Sequence, residues 1–171
     1  MTQRAHALQA AKLAREAGAL DEEVIAALLH DVGHLCAAPG EARMGRHGVA
    51  SHEDVGADHL AALGFGPGVT ERVRGHVAAK RYLVATRPDY AARLSEASRA
   101  TLGHQGGALN AEAQRDFEAS PLRDSWLRLR AWDDAAKLVG LEVPDFESWV
   151  PLLEAHLRAA GARSHGVTTP A

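Results

Sequence analysis

The chain has 171 residues, a length suited to one domain. With 46% apolar and 24% charged residues it is not a disordered chain, and a formal net charge of -3 gives no electrostatic reason to expect a nucleic-acid or acidic-membrane partner. A single cysteine, Cys36, excludes an internal disulfide and points to a reducing, cytoplasmic setting; no apolar run approaches the roughly 18–20 residues of a membrane helix, and no signal peptide opens the chain.

Alanine, the best helix former, occurs 35 times against 19 for Val, Ile and Thr together, so the fold class expected is all-α. A short Ala-rich helix is predicted over 6–17, closed by Gly18. Asp21 is placed as the cap of the next helix, whose first turn carries Glu22 and Glu23 and whose body, Val24 to Leu29, is apolar all round and reads as buried. A loop with Pro39, Gly40, Gly45 and Gly48 spans about 36–50. Ser51 then caps a helix to about 63, with Gly64 as its stop, and Pro67 stands near the start of another. Further helices are predicted over 90–104, ended by Gly106-Gly107, and from Asn110 to 119. A long one runs from Ser120-Pro121 to Gly140, and a last one covers 146–160 with Phe146, Trp149, Val150, Leu153 and Leu157 on one face. One domain over 1–160 and a loose polar tail over 161–171 complete the expected layout.

Ten histidines are the first hint of chemistry. His30-Asp31 ends the buried helix in the string His-Asp-Val-Gly-His, where a charged carboxylate is costly unless something pairs with it. His6, His52 and His76 stand at starts or middles of neighbouring helices. On the long helix, Leu122, Trp126, Leu129, Asp133 and Ala136 share a face, which makes Asp133 the buried carboxylate. Asp134, four residues after Arg130, is read as half of a surface ion pair. Four His and two Asp are too many ligands for one metal that keeps open positions. Two metals bridged by a carboxylate, most naturally Asp31, fit the inventory better, and nitrogen and oxygen ligands without thiolate suit iron, manganese or zinc.

Lys80 lies four residues after His76 on the same helix face, although a surface lysine is the commoner case. Ser98, Thr101 and Gln105 follow at i, i+3 and i+7 and place three hydrogen-bonding side chains on one face. His34 is read as supporting the ligands from outside. His47, His59, His104, His156 and His165 are read as surface or packing residues, Cys36 as a small apolar residue near the rim, and Trp126, Trp132 and Trp149 as core.

The ordered set His6, His30-Asp31, His52, His76 and Asp133 resembles the dinuclear branch of the HD-domain superfamily, which implies a helical HD-domain bundle around the metals. The strings His-Ala-Leu-Gln (6–9), His-Val-Ala-Ala-Lys-Arg-Tyr-Leu (76–83), Leu-Ser-x-Ala-Ser (94–98), Gln-Gly-Gly (105–107) and Leu-Arg-x-Trp-Asp-Asp-x-Ala-Lys (129–137) are similar to the HD oxygenases of the 2-amino-1-hydroxyethylphosphonate dioxygenase group, itself related to myo-inositol oxygenase. The resemblance covers about residues 2–150. It implies a mixed-valent Fe(II)/Fe(III) pair that uses O2 to cleave the C–P bond of a small organophosphonate, giving a carboxylic acid such as glycine and inorganic phosphate. It further implies His6, His30, Asp31, His52, His76 and Asp133 as iron ligands with Asp31 bridging, and Lys80, Ser98, Thr101 and Gln105 as holders of the phosphonate. An ammonium with three hydrogen-bonding side chains suits a dianion. A separate 2-oxoglutarate-dependent hydroxylase would supply the hydroxylated substrate.

One departure stands out. The family carries an N-terminal Tyr that can occupy the open iron position and a Glu that holds the substrate amine, whereas this chain begins at Met1-Thr2-Gln3, past where they should stand. A misassigned start, a shortened chain and a true lack are the readings; under the last, the substrate is another 1-hydroxyalkylphosphonate, including an N-methylated one. The rival function is a metal-dependent HD phosphohydrolase acting on a nucleotide or other phosphate ester, in which the metals would activate water. A non-catalytic binding module is a third, but it has no need of six ligands with open positions.

Overall fold

The computed structural model describes residues 1–36, 44 and 48–165, with side chains through 162. Among the described residues ten α-helices follow one another: α1 (Gln3–Glu16), α2 (Asp21–Leu29), α3 (Gly33–Cys36), α4 (His52–Ala62), α5 (Pro67–Thr86), α6 (Pro88–Arg93), α7 (Glu96–Leu102), α8 (Ala111–Ala119), α9 (Arg123–Ala135) and α10 (Val150–His165), the last preceded by a 3-10 turn, Phe146–Trp149. The fold is all-α, and among the described residues no helix is long and apolar enough to cross a membrane. The predicted loop over 36–50 lies mostly outside the described residues; Met44, which is described, is buried.

Helix α2 is the axis of the bundle. Val24 to Leu28 are all at most 3% exposed, as an apolar circumference requires, and α1, α5, α9 and α10 pack around them. The main core joins Leu8, Ala11 and Ala14 of α1 to Ile25, Leu60, Val69, Val73, Leu129, Trp132 and Trp149. A smaller cluster of Ala79, Tyr82, Leu109 and Phe117 seats α8 against α5, with Trp126 and Leu127 partly buried against it.

Several local expectations are corrected. Thr2 caps α1 by accepting from the Ala5 N–H, so this helix starts three residues earlier than predicted. The cap of α2 is Leu20, not Asp21; the Glu23 side chain turns back to accept from the Leu20 N–H. The helix expected over 90–104 is two, because Leu94 is extended (ψ 134°) and buried, and Ser95 starts afresh as the cap of α7 by accepting from the Ser98 N–H. Asn110 caps α8 as predicted. Ser120-Pro121 opens a turn rather than the helix itself, since Ser120 Oγ accepts from the Leu122 N–H and α9 begins at Arg123.

Helix α9 ends at Ala135, not Gly140, for a tertiary reason. Ala136 leaves the helical region (ψ 49°), and its carbonyl accepts from His6 Nδ1 at 2.7 Å. Two residues on, the Leu138 backbone is clasped by both ends of the Gln9 amide, at 2.6 and 3.1 Å. At the C-terminus α10 continues to His165, so the first residues of the expected tail are helical, while 166–171 lie outside the described residues. Trp149 is fully buried on the predicted apolar face, but Phe146 at its edge is exposed.

Candidate metal centre

His6 and His30 reach the centre of the bundle from α1 and the end of α2, Asp31 follows directly, His52 opens α4, His76 sits in α5 and Asp133 in α9. Two three-residue groups form, His6–His30–Asp31 and Asp31–His52–His76, each with ligand atoms close enough to surround one cation, and Asp31 belongs to both. Its two oxygens divide the work. Oδ2 lies 3.4 Å from His30 Nε2 and 3.8 Å from His6 Nε2, whereas Oδ1 lies 3.3 Å from His52 Nε2 and 3.7 Å from His76 Nε2. Asp133 Oδ1 joins the first group, 3.1 Å from His6 Nε2 and 3.9 Å from His30 Nε2.

Three of the imidazoles are presented with defined tautomers. His6, His30 and His76 each direct Nδ1 at a backbone carbonyl, of Ala136, Ala27 and Val73, at 2.7, 2.9 and 2.7 Å. A carbonyl can only accept, so Nδ1 carries the proton and the Nε2 lone pair faces the cluster. The Nε2 lone pairs of His6 and His30 then face each other at 3.2 Å, and His52 and His76 bring their Nε2 atoms to 3.1 Å. No hydrogen bond can relieve the first pair in its neutral form, and a cation beside it would. The donor set fits divalent or trivalent metals that favour imidazole and carboxylate.

Electrostatics point the same way. Burial alone would push Asp31 and Asp133 up, but His30 and His52 hold the Asp31 carboxyl well below its usual range, and Arg130 with His6 does the same for Asp133. His76 is held well below the ordinary histidine value by burial and then by the charges of His52 and His30. Burial opposes protonation of His6 and His52 too, yet Asp133 and Asp31 respectively raise them above the usual value. Ionised carboxylates and a neutral His76 are ligand forms; at His6 and His52 a metal would displace protons.

A cavity of about 390 Å³ opens over these residues. Lys80, Ser98, Thr101 and Gln105 line it together with His6, Asp31, His52, His76 and Asp133, so all four nominated anion-binding residues face the space above the cluster. Lys80 is no surface lysine: it is 3% exposed, and its Nζ donates to Thr101 Oγ1 at 3.1 Å. Burial, and next the charge of Arg130, brings Lys80 down to about 8. Gln105 Oε1 is buried without a partner. Gln105 lies beyond α7 in the turn through Gly106 (φ 89°) and Gly107 (φ 66°), whose carbonyls are held by Arg81 at 3.2 and 2.9 Å.

His34 lies flat on His52, with ring centroids 4.0 Å apart and 22° between planes, and its Nδ1 accepts from the Val49 N–H at 3.1 Å. Gly48 (φ +95°) makes this possible, because a Cβ there would fall 2.5 Å from His34 Nδ1. Outside the cluster, His156 packs on Phe65 and accepts from the Gly66 N–H, while His59 and His104 are exposed. His47 and the His165 side chain lie outside the described residues. Trp126 and Cys36 are half-buried.

The reading of Arg130–Asp134 as a surface pair is overturned. Arg130 is 4% exposed, and its guanidinium clamps both carboxylates: Nη1 stands 2.7 Å from Asp133 Oδ2, Nε donates to Asp134 Oδ2 at 2.9 Å, and Nη2 to Asp134 Oδ1. Tyr90 donates its hydroxyl hydrogen to Asp134 at 2.7 Å. Arg130 occupies one oxygen of Asp133 and leaves the other toward the histidines. The i+3 and i+4 spacing signalled this fork, but only packing buries it.

The HD-domain family model matches residues 4–123, with Asp133 beyond the matched segment. The chain is 43% identical over 152 residues to hydroxymethylphosphonate dioxygenase of Gimesia maris, covering 87% of this chain and 74% of that protein. It is 40% identical over 154 residues to the glycine-betaine-forming [1-hydroxy-2-(trimethylamino)ethyl]phosphonate dioxygenase of Leisingera caerulea, covering 90% and 78%. It is also 38% identical over 157 residues to an uncharacterized protein, L432, of Acanthamoeba polyphaga mimivirus, covering 91% and 72%. With that helical frame, that cluster and these relatives, the chain belongs to the HD-domain family and, within it, to the oxygenases that the phosphonate dioxygenases represent.

Proposed function

We propose that this oxygenase holds two iron ions with His6, His30, Asp31, Asp133, His52 and His76, and uses O2 to cleave the C–P bond of a small 1-hydroxyalkylphosphonate. The carbon becomes a carboxylate, phosphorus leaves as inorganic phosphate, and O2 is the four-electron oxidant that balances the reaction. A mixed-valent Fe(II)/Fe(III) pair would supply the redox chemistry.

The observation that carries the reading is the shared cavity: a buried Lys80, tied to Thr101, lines the same space as the His/Asp cluster, together with Ser98 and Gln105. The Lys80 ammonium neutralises part of a phosphonate dianion. The Ser98 hydroxyl and the Gln105 amide NH2 donate to its remaining oxygens, as does the Thr101 hydroxyl on turning from the Ser98 carbonyl that it now bonds. A phosphonate held there brings its hydroxyl-bearing carbon toward the imidazoles. Arg130 stays bound to Asp133 and Asp134 and keeps the ligand carboxylate oriented. The two dioxygenase relatives are named for different substituents on the same hydroxyphosphonate core, which supports the core as the recognised unit.

The test is phosphate release by iron-loaded protein from hydroxymethylphosphonate, 2-amino-1-hydroxyethylphosphonate and its trimethylated analogue, with and without O2. Phosphate is expected only with O2, accompanied by formate, glycine or glycine betaine according to the substrate. Phosphate from esters without O2 would replace this reading with a phosphohydrolase.

A further inference from the structure

Of the four clustered imidazoles, His52 alone makes no well-formed hydrogen bond at its second nitrogen. His30 and His76 point Nδ1 at the carbonyl three residues earlier, which a helix places beneath the ring. His52 is the first residue of α4, and the chain before it is not helical: Ser51 has φ -111° and ψ 42°. The Val49 carbonyl therefore stands close enough to favour the protonated ring but out of line with it, and His52 Nδ1 makes no well-formed hydrogen bond. Stacking on His34 sets the plane of the ring but supplies no bond within that plane. The acceptor that stands by is the next side chain. Glu53 Oε2 lies 3.4 Å from His52 Nδ1 and is itself buried without a hydrogen-bond partner.

We propose that Glu53 is the positioning residue for His52, accepting the Nδ1–H so that the Nε2 lone pair faces Asp31 Oδ1 and the metal shared with His76. Two buried orphans at this separation are each costly, and a small side-chain rotation satisfies both. A carboxylate on the distal nitrogen also makes the imidazole a stronger ligand. Glu53 thus does at α4 what the Ala27 and Val73 carbonyls do for the other helices.

The inference rests on the two-ion reading, and metal binding tests it without turnover. Wild type, E53A and E53Q are titrated with Fe(II) under anaerobic conditions by calorimetry, with iron per chain measured after desalting and Mössbauer spectra of the loaded forms. Circular dichroism and the melting point of each apoprotein report folding. Wild type should bind two Fe(II). E53A should fold, bind one of them about 10–100-fold more weakly and lose one iron signature. E53Q, whose amide oxygen can still accept, should recover much of that loss. Two ions in wild type and undiminished binding in E53A would overturn the positioning role, leaving the Val49 carbonyl as the acceptor. Fewer than two ions in wild type would overturn the two-ion reading as well.

Discussion

Replacing Arg130 by methionine tests how the Asp133 carboxylate is held. The guanidinium is buried, 2.7 Å from Asp133, and forked onto Asp134. Methionine keeps much of the volume and removes the charge, leaving Asp133 without its cation and in repulsion with Asp31. Breaking a buried pair from one side costs about 3–5 kcal/mol. At about 2–4 °C per kcal/mol for a chain of this size, Tm of the apoprotein should fall by about 6–20 °C. A bound metal takes up part of the carboxylate's charge, so the fall should be smaller in the iron-loaded protein. Differential scanning calorimetry of both forms reads this directly. An apoprotein melting within about 2 °C of wild type, or a larger fall in the loaded form, would refute the argument.

Lys80→Met should raise KM about 10–100-fold with kcat much less changed, the signature of lost uniform binding by a charge-assisted hydrogen bond; steady-state kinetics on the best hydroxyphosphonate check it. Because burial and Arg130 bring Lys80 down to about 8, the binding-competent ammonium is present below that pH and lost above it. The kcat/KM profile should therefore decline as pH rises through about 8, and a profile flat to pH 10 would remove Lys80 from phosphonate binding. Gly33→Ala would place a Cβ 1.9 Å from the His52 carbonyl oxygen, in the α3–α4 contact. That overlap should cost about 1–3 kcal/mol or more and lower iron occupancy by displacing His52, as melting and iron analysis would show. Unchanged melting and occupancy would mean that the two helices are free to separate.

The order of ligand-type residues and the helical class were legible from the chain because both are local. His-Asp-Val-Gly-His names its residues in sequence, Asn110 caps its own helix, and an all-apolar turn can only be buried. The glycine of that string is explained by the structure: α3 and α4 approach so closely that no Cβ fits at Gly33. The apolar stripe singles out Asp133 but does not place its partner Arg130 in the interior. Spacing puts Arg130 beside both aspartates but cannot say which side of α9 the rest of the bundle covers. Likewise, helix propensity carries the chain past residue 135, yet α9 stops there because His6 and Gln9, about 130 positions away in sequence, take the carbonyls of Ala136 and Leu138. The break at Leu94-Ser95 places Ser98 and Thr101 on a separate short helix with their side chains toward the cavity. The two oxygens of Asp31 facing different histidine pairs, and the orphaned His52 and Glu53, exist only once five helices converge. A sequence pattern records which groups are available. Long-range packing decides which of them lose water together, and that shared desolvation gives the cluster its charge states and its capacity for metal.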